Sequence, residues 1–308
     1  MKAFAIAARD DSPALQDVPQ PQAAAGEVLV AVEAASVNGF DLSVAAGHVW
    51  DMLPHEFPVV LGRDFVGTVA RVGDGVREVA VGDRVAGIIP GAALGPGSLG
   101  EYVAVPAASV TAVPPGVDVH NAAATGLAGI AAHDAIDVLD LQPGEVVLIS
   151  GATGGVGSIA VQRAAAAGAT VIATARPGPE EDYVRSLGAA HAVDYTSDII
   201  AAVRAAAPQG VDKALHAAGD PAAIGKVMRT GGAVVSTLGA TTDQLGCDDI
   251  TVTAIMAAAT ADKLARLLDD VASGKLRVNI EAAIPLERAH EALKTFADGT
   301  LGKVLVTR

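Results

Sequence analysis

The residues best equipped for chemistry lie at 146–157, Val-Val-Leu-Ile-Ser-Gly-Ala-Thr-Gly-Gly-Val-Gly. A β-branched apolar run breaks there into a glycine-dense turn and resumes as a helix-forming segment, Val156–Ala164. A buried parallel strand that turns tightly into a helix aims free backbone N–H groups, and the positive end of the helix dipole, at one point. Such a point binds a pyrophosphate, which makes Ala152, Thr153, Gly154, Gly155 and Val156 the expected contacts of a dinucleotide. Ala152 stands where the usual G-x-G-x-x-G motif has its first glycine, and a small residue meets the need of the turn. Gly154 lets the backbone approach the phosphates, and Gly157 allows close packing of helix on strand.

The second strand, Thr170–Ala175, selects between dinucleotides. An NAD site commonly ends this strand in Asp or Glu, which accepts hydrogen bonds from the ribose hydroxyls. Here the strand ends in Thr174 and Ala175, and Arg176 follows. Without the carboxylate a 2′-phosphate meets no repulsion, and a guanidinium offers it a planar fork of donors. NADPH is therefore expected over NADH, the alternative being that Arg176 is a solvated loop residue.

The elements that must position these groups fall into two patterns. The first ~115 residues read as mostly β, with apolar runs at 27–34, 65–72, 83–89 and 101–105 separated by Gly, Pro and Asp. From about residue 118, helix and strand alternate: a helix at 121–139, strands at 145–150, 170–174, 192–194, 213–217 and 232–238, and helices at 156–168, 180–187, 199–206 and 222–228. That alternation requires crossover connections and predicts an α/β fold with a doubly wound parallel sheet. Thr251–Met256 is a candidate last strand, followed by a helix at 261–274 and a short segment at 302–306 that looks like a return to the first sheet, a placement that periodicity alone does not give.

Composition narrows the partners. The 308 residues suffice for two cores, built from aliphatic residues because aromatics are only 3%. A net charge of −14 argues against a nucleic-acid or anionic-membrane surface. No charge-free apolar run approaches the roughly 18 residues that span a bilayer. The N-terminal residues lead to Arg9-Asp10-Asp11 without the apolar core of a signal peptide. A single cysteine, Cys247, excludes an intramolecular disulfide and suits a reducing cytoplasm.

Several ordered motifs resemble the medium-chain dehydrogenase/reductase superfamily, in its zinc-free quinone oxidoreductase (zeta-crystallin-like) branch. They are Gly26–Val30 leading to Ala35–Asp41, Pro58–Gly67, Val81–Val85, Gly100–Val103, the glycine turn, Leu187–Ala190 and Gly302–Val304. The resemblance implies a GroES-like, partly open β-barrel domain from 1–117 and 265–308. Inserted in it would be a Rossmann domain of 118–264, with the active site in the cleft between them and a homodimer as the assembly. It also implies hydride transfer from NADPH to a small-molecule quinone or α,β-unsaturated carbonyl, whose conjugated oxygen takes up the developing charge.

Residues carried over by the resemblance can be named one by one. In zinc-dependent relatives a cysteine ligand falls at Asn38, a histidine ligand at Arg63 and a third near Leu127, so zinc is not expected here. Asn38 is the leading candidate to hydrogen-bond the substrate oxygen, or else caps nearby backbone. Asp41 holds the loop or pairs with a cation in preference to transferring a proton. Arg63 either polarises a substrate carbonyl or forms an ion pair with Asp64 or Asp41. Tyr195 matches a tyrosine beside the adenosine phosphate, Lys303 a basic residue near the cofactor, and Leu238 closes the cofactor set at the end of its strand. Trp50, the single tryptophan, either walls the substrate site or packs in the core. Two other readings stay open: a zinc-type alcohol dehydrogenase relative, and a nucleotide-binding structural or regulatory protein with little turnover.

Overall fold

A computed structural model describes residues 1–91 and 93–308; Ala92, in the glycine-rich segment at 91–98, lies outside the described residues. The chain divides into two units, Met1–Leu127 with Ala259–Arg308, and Ala128–Ala258. Residues 118–127 and 259–264, expected in the inserted domain, belong to the first unit.

The first unit opens with β1 (Lys2–Ile6), β2 (Ala14–Asp17), β3 (Glu27–Ser36), α1 (Gly39–Ala45), β4 (Val59–Val60), β5 (Asp64–Val72), β6 (Arg84–Ile88), β7 (Tyr102–Pro106) and β8 (Val110–Ala112). Helix α2 (Val119–Leu139) follows and is broken at Gly126, whose φ of −17° and ψ of −123° are not helical. By length and composition α2 could cross a bilayer, yet 72% of its most apolar window is buried inside the protein. It is a core helix.

The second unit alternates strictly: β9 (Val146–Ser150), α3 (Gly155–Ala166), β10 (Thr170–Thr174), α4 (Pro179–Ser186), β11 (His191–Val193), α5 (Ile199–Ala206), β12 (Val211–His216), α6 (Pro221–Gly225), β13 (Met228–Ser236), α7 (Thr242–Leu245) and β14 (Thr251–Ala254). Its six strands are all parallel, in the order β11-β10-β9-β12-β13-β14. The chain winds outward from β9 to β11, then returns to the other side of β9 with β12. The switch point between β9 and β12 is where such sheets open a ligand crevice at the strands' carboxyl ends. Leu148, Ile172, Ala214 and Val234, from the four central strands, share one apolar core. The helix expected at 222–228 stops at Gly225, because Met228 already pairs with Val211 as the start of β13.

The chain then rejoins the first unit with α8 (Ala261–Ala272), β15 (Ile280–Pro285), α9 (Ala289–Ala297) and β16 (Lys303–Thr307). Helix α8 packs on β6 and β8, which is why the boundary falls before it. Strand β16 joins β3 antiparallel and β15 parallel, as the expected return to the first sheet. The resulting sheet runs β15-β16-β3-β5-β6-β8, with β7 also on β3, and β2-β1-β4 forms a smaller sheet. Trp50 is buried in this unit's core, with its ring centroid 5.4 Å from His55 and 5.5 Å from Phe57. It packs in the core, the second of the two places the sequence allowed it.

Candidate active site

The glycine turn leaves β9 at Ser150 and enters α3 at Gly155. No side chain caps the helix, whose N-cap is Gly154. The first-turn N–H groups that a capping side chain would satisfy are therefore left without one, as a site for an external acceptor requires. A Cβ built on Gly154 would meet only the Gly151 carbonyl oxygen, at 3.6 Å, so the space over it is open. A Cβ on Gly157 would instead lie 2.1 Å from that oxygen and 2.7 Å from the Ala152 Cα. One glycine leaves a cradle and the other closes the helix against the strand. The residues fit a pyrophosphate.

Thr174, expected as a cofactor contact, is buried and braces the turn from the neighbouring strand. Its Oγ1 accepts from the backbone N–H of Gly151 at 2.9 Å and of Ala152 at 3.5 Å. On the far side of the switch point, Ser150 Oγ donates to the Ala218 carbonyl at 2.5 Å. His216, at no recognisable ligand spacing in the sequence and read there as a surface or polar-contact residue, ties together the loops after β12 and β13. Its Nε2 lies 3.1 Å from the Gly219 carbonyl and must carry the proton; Nδ1, 3.0 Å from Ser236 Oγ, is then the acceptor. Ser236 Oγ in turn accepts from the backbone of Leu238 and Ala240, which leaves the Leu238 side chain exposed at the strand's end.

Beyond β10, Ala175 is buried and Arg176 extends outward. The Arg176 backbone N–H donates to Glu180 Oε2 at 2.8 Å and its Nε to Oε1 at 2.6 Å, with Nη2 also on Oε1. Tyr195 Oη donates to the same Oε1 at 3.3 Å, and the Arg176 guanidinium lies 6.0 Å from the Tyr195 ring centre. Arg176 and Tyr195, each expected near the adenosine end, are brought together around a carboxylate that sequence reasoning did not single out. The signal was present as an i, i+4 Arg–Glu pair at the start of a helix.

In the first unit, five polar side chains meet at the ends of β3, β5 and β16 in a buried cluster. Asp64 accepts from Ser36 N at 3.0 Å, from Ser36 Oγ at 2.8 Å and from Leu127 N at 2.7 Å. Asp41 accepts from Asn38 N and Gly62 N, both at 2.8 Å, so it does hold the loop. Lys303 Nζ donates to Asn38 Oδ1 and to the Val37 carbonyl, both at 2.7 Å. Lys303, grouped by sequence with the cofactor contacts, lies with Asn38. Asn38 Nδ2 reaches Ser36 O, Ser36 Oγ and Asp64 Oδ2 at 3.2, 3.3 and 3.4 Å.

Electrostatics in this cluster follow from burial. Loss of water pushes the Asp41 carboxyl up to about 6, reinforced by the charge of Asp64 and opposed by its two N–H donors and Lys303. Burial also lowers the Lys303 ammonium, against the pull of Asp64 and Asp41. Arg63 forms no direct ion pair with Asp64 or Asp41, although the Asp41 charge acts on its guanidinium. Its guanidinium donates to the carbonyls of Ala93 at 3.2 Å, Ile89 at 3.3 Å and Gly91, and stacks over Phe40 at 5.3 Å. Being buried, it takes the backbone acceptors of Ile89, Gly91 and Ala93 in place of a carboxylate. Among the described residues no three His, Cys, Asp or Glu side chains converge as metal ligands.

Residues 24–115 match the alcohol dehydrogenase GroES-like domain family, and residues 187–306 the zinc-binding dehydrogenase family. The chloroplastic quinone-oxidoreductase QR1 of Triphysaria versicolor is 31% identical over 94% of this chain and 92% of its own length. Among solved structures, an NAD-dependent alcohol dehydrogenase superposes with a TM-score of 0.88 at 28% identity, covering 100% of each chain. A mycobacterial protein solved in complex with NADPH superposes with a TM-score of 0.86 at 27% identity, also over 100% of each chain. With a GroES-like unit, a parallel sheet bearing the glycine turn and a full-length relative above 30% identity, this chain belongs to the quinone oxidoreductase branch of the medium-chain dehydrogenase/reductase superfamily.

Proposed function

We propose that this oxidoreductase transfers a hydride from NADPH to a quinone or to the β-carbon of an α,β-unsaturated carbonyl compound, without zinc. The uncapped start of α3 above the open Gly154 carries the reading, because it is a phosphate cradle that no protein side chain fills. Bound there, the nicotinamide supplies the hydride. The protein's own residues then have three tasks.

Backbone N–H groups of the turn hold the pyrophosphate, and Thr174 keeps the turn in shape. Arg176 and Tyr195 face the adenosine end and favour a 2′-phosphate over a hydroxyl. Asn38 donates to the oxygen of the acceptor. Lys303 on Oδ1 fixes which end of the amide is oxygen, so Nδ2 is the donor. The contacts of Nδ2, 3.2–3.4 Å, are longer than those of a well-made N–H···O bond, and a substrate oxygen can replace them.

The zinc-free reading is supported by Asn38 and Arg63 standing at two of the family's ligand positions, and by the lack of a convergent ligand set among the described residues. Substrates of this kind need no Lewis acid, since the conjugated carbonyl accommodates the charge. NADPH oxidation should therefore proceed with quinones or enones and be indifferent to chelators. Loss of all turnover on chelation, with recovery on adding zinc, would favour the alcohol dehydrogenase reading. The open edge strand β14 is our candidate for pairing two copies into a dimer, and solution scattering that reports a monomer would remove that part.

A further inference from the structure

We propose that Glu180 sets how strongly this chain discriminates between NADPH and NADH, by holding Arg176 as an internal counter-ion at the adenosine end. The inference rests on the dinucleotide reading above. Arg176 stands where many NAD-binding chains keep an acid, yet an acid returns to that place from four residues along. The Glu180 carboxylate is buried on α4, with 11% of its side chain exposed, whereas the Arg176 side chain is 60% exposed. Glu180 Oε2 is fixed by the Arg176 N–H; Oε1 is fixed by Arg176 Nε and Tyr195 Oη. The carboxylate is therefore the rigid member of the pair and the guanidinium the adaptable one.

Glu180 acts on the two nucleotides in opposite directions. An arriving 2′-phosphate meets a guanidinium whose Nε and Nη2 already face a carboxylate, which leaves the Nη1 side to bind it. The phosphate also brings negative charge close to Glu180 and to Asp194, a second acid near enough to act on Arg176. An unphosphorylated ribose meets no such repulsion, and a carboxylate beside the strand end is the acceptor its hydroxyls use. Arg176 thus supplies a preference for NADPH and Glu180 limits its size. Glu181, the next residue, turns away to Arg185 Nε at 2.9 Å and serves as an internal control.

The test measures binding of NADPH and of NADH to the full-length chain by nucleotide fluorescence, with no acceptor present. Glu180→Gln keeps the shape and removes the charge. The ratio of NADH to NADPH dissociation constants should rise about three- to fivefold, the scale of a partly exposed ion pair, with NADPH binding more tightly. Glu180→Ala should move the ratio in the same direction, and Glu181→Gln should leave it unchanged. Retained NADH binding confirms that each variant is folded. An unchanged or lower ratio in both Glu180 variants would overturn the assignment, as would an equal rise in Glu181→Gln. A Glu180 variant that binds neither nucleotide would make the residue structural and also overturn it. If the wild-type chain binds neither nucleotide, it is the dinucleotide reading that fails.

Discussion

The polar cluster of the first unit and the nucleotide turn of the second are built on opposite plans. The cluster is made of side chains, Ser36, Asn38, Asp41, Asp64 and Lys303, all buried and all engaged by one another or by backbone. The turn is made of backbone, its helix start carries no side-chain cap, and neighbouring Arg176 is largely exposed. A side-chain cluster is tied to the stability of its own unit, since removing one member leaves a buried partner unsatisfied. A backbone site is tied to its ligand, and most residues around it can change without harm to the fold. The exception is where backbone approaches backbone.

Gly157 is that exception, and it gives the sharpest test of the comparison. Gly157→Val places carbon against the Gly151 carbonyl and the Ala152 Cα, which cannot yield as a flexible side chain would. Thermal unfolding should show a loss of about 3 kcal/mol or more, together with loss of NADPH binding. Gly154→Val should abolish NADPH binding at nearly unchanged stability, because its Cβ enters open space. If both variants unfold alike, the turn is no more tolerant than the cluster.

Asp41 probes the cluster through pH. Its folded value is raised from 3.8 to about 6, so the native protein takes up a proton before the unfolded chain does. The stability this group contributes is full below about 3.8 and is lost as pH rises through about 6. The size is on the order of 3 kcal/mol, and Asp41→Asn should flatten this part of the pH profile in denaturant titrations. An identical slope in the variant would show that another group carries it.

Two smaller effects separate ligand from fold. Asn38→Ala should lower the rate of quinone reduction about tenfold or more with NADPH affinity nearly unchanged, as expected for loss of one donor to the developing charge. Unchanged turnover would confine Asn38 to the cluster. Arg176→Ala should shrink the preference for NADPH over NADH severalfold, with no change in unfolding temperature because the side chain is largely exposed. Equal affinities in the wild-type chain would instead place the guanidinium outside the nucleotide site.

The order of strands and helices was legible because each buried strand is a short apolar run followed by a glycine or a polar turn. β9 through Gly157 shows this most clearly, since a continuous apolar run ends in a turn whose Gly157 lies too close to the Gly151 carbonyl for any side chain. Helix α9 was missed, as was β15, because Ile280–Pro285 alternates between partly buried and exposed and lacks a continuous apolar run. The break in α2 was also hidden. Nothing local marks Gly126 as a kink; it is required because a Cβ there would lie 2.4 Å from Asp64 Oδ2, a residue far away in sequence. The same cause hid the partners of Arg63 and Lys303. Arg63 suggested an ion pair and Lys303 a cofactor contact, but long-range burial delivered backbone carbonyls to one and an amide to the other.

The bond between Lys303 and Asn38 joins residues 265 positions apart. During synthesis the amide and carboxylate of the 38–41 loop therefore leave the ribosome long before their ammonium exists. The contiguous unit at 128–258 is complete by then and is free to fold ahead of it, as domains generally do. The polar cluster can close only when β16 pairs with β3, which makes it the last part of the molecule to acquire its charge balance. Any truncation near residue 303 would thus spare the nucleotide turn and leave Asn38 without its anchor.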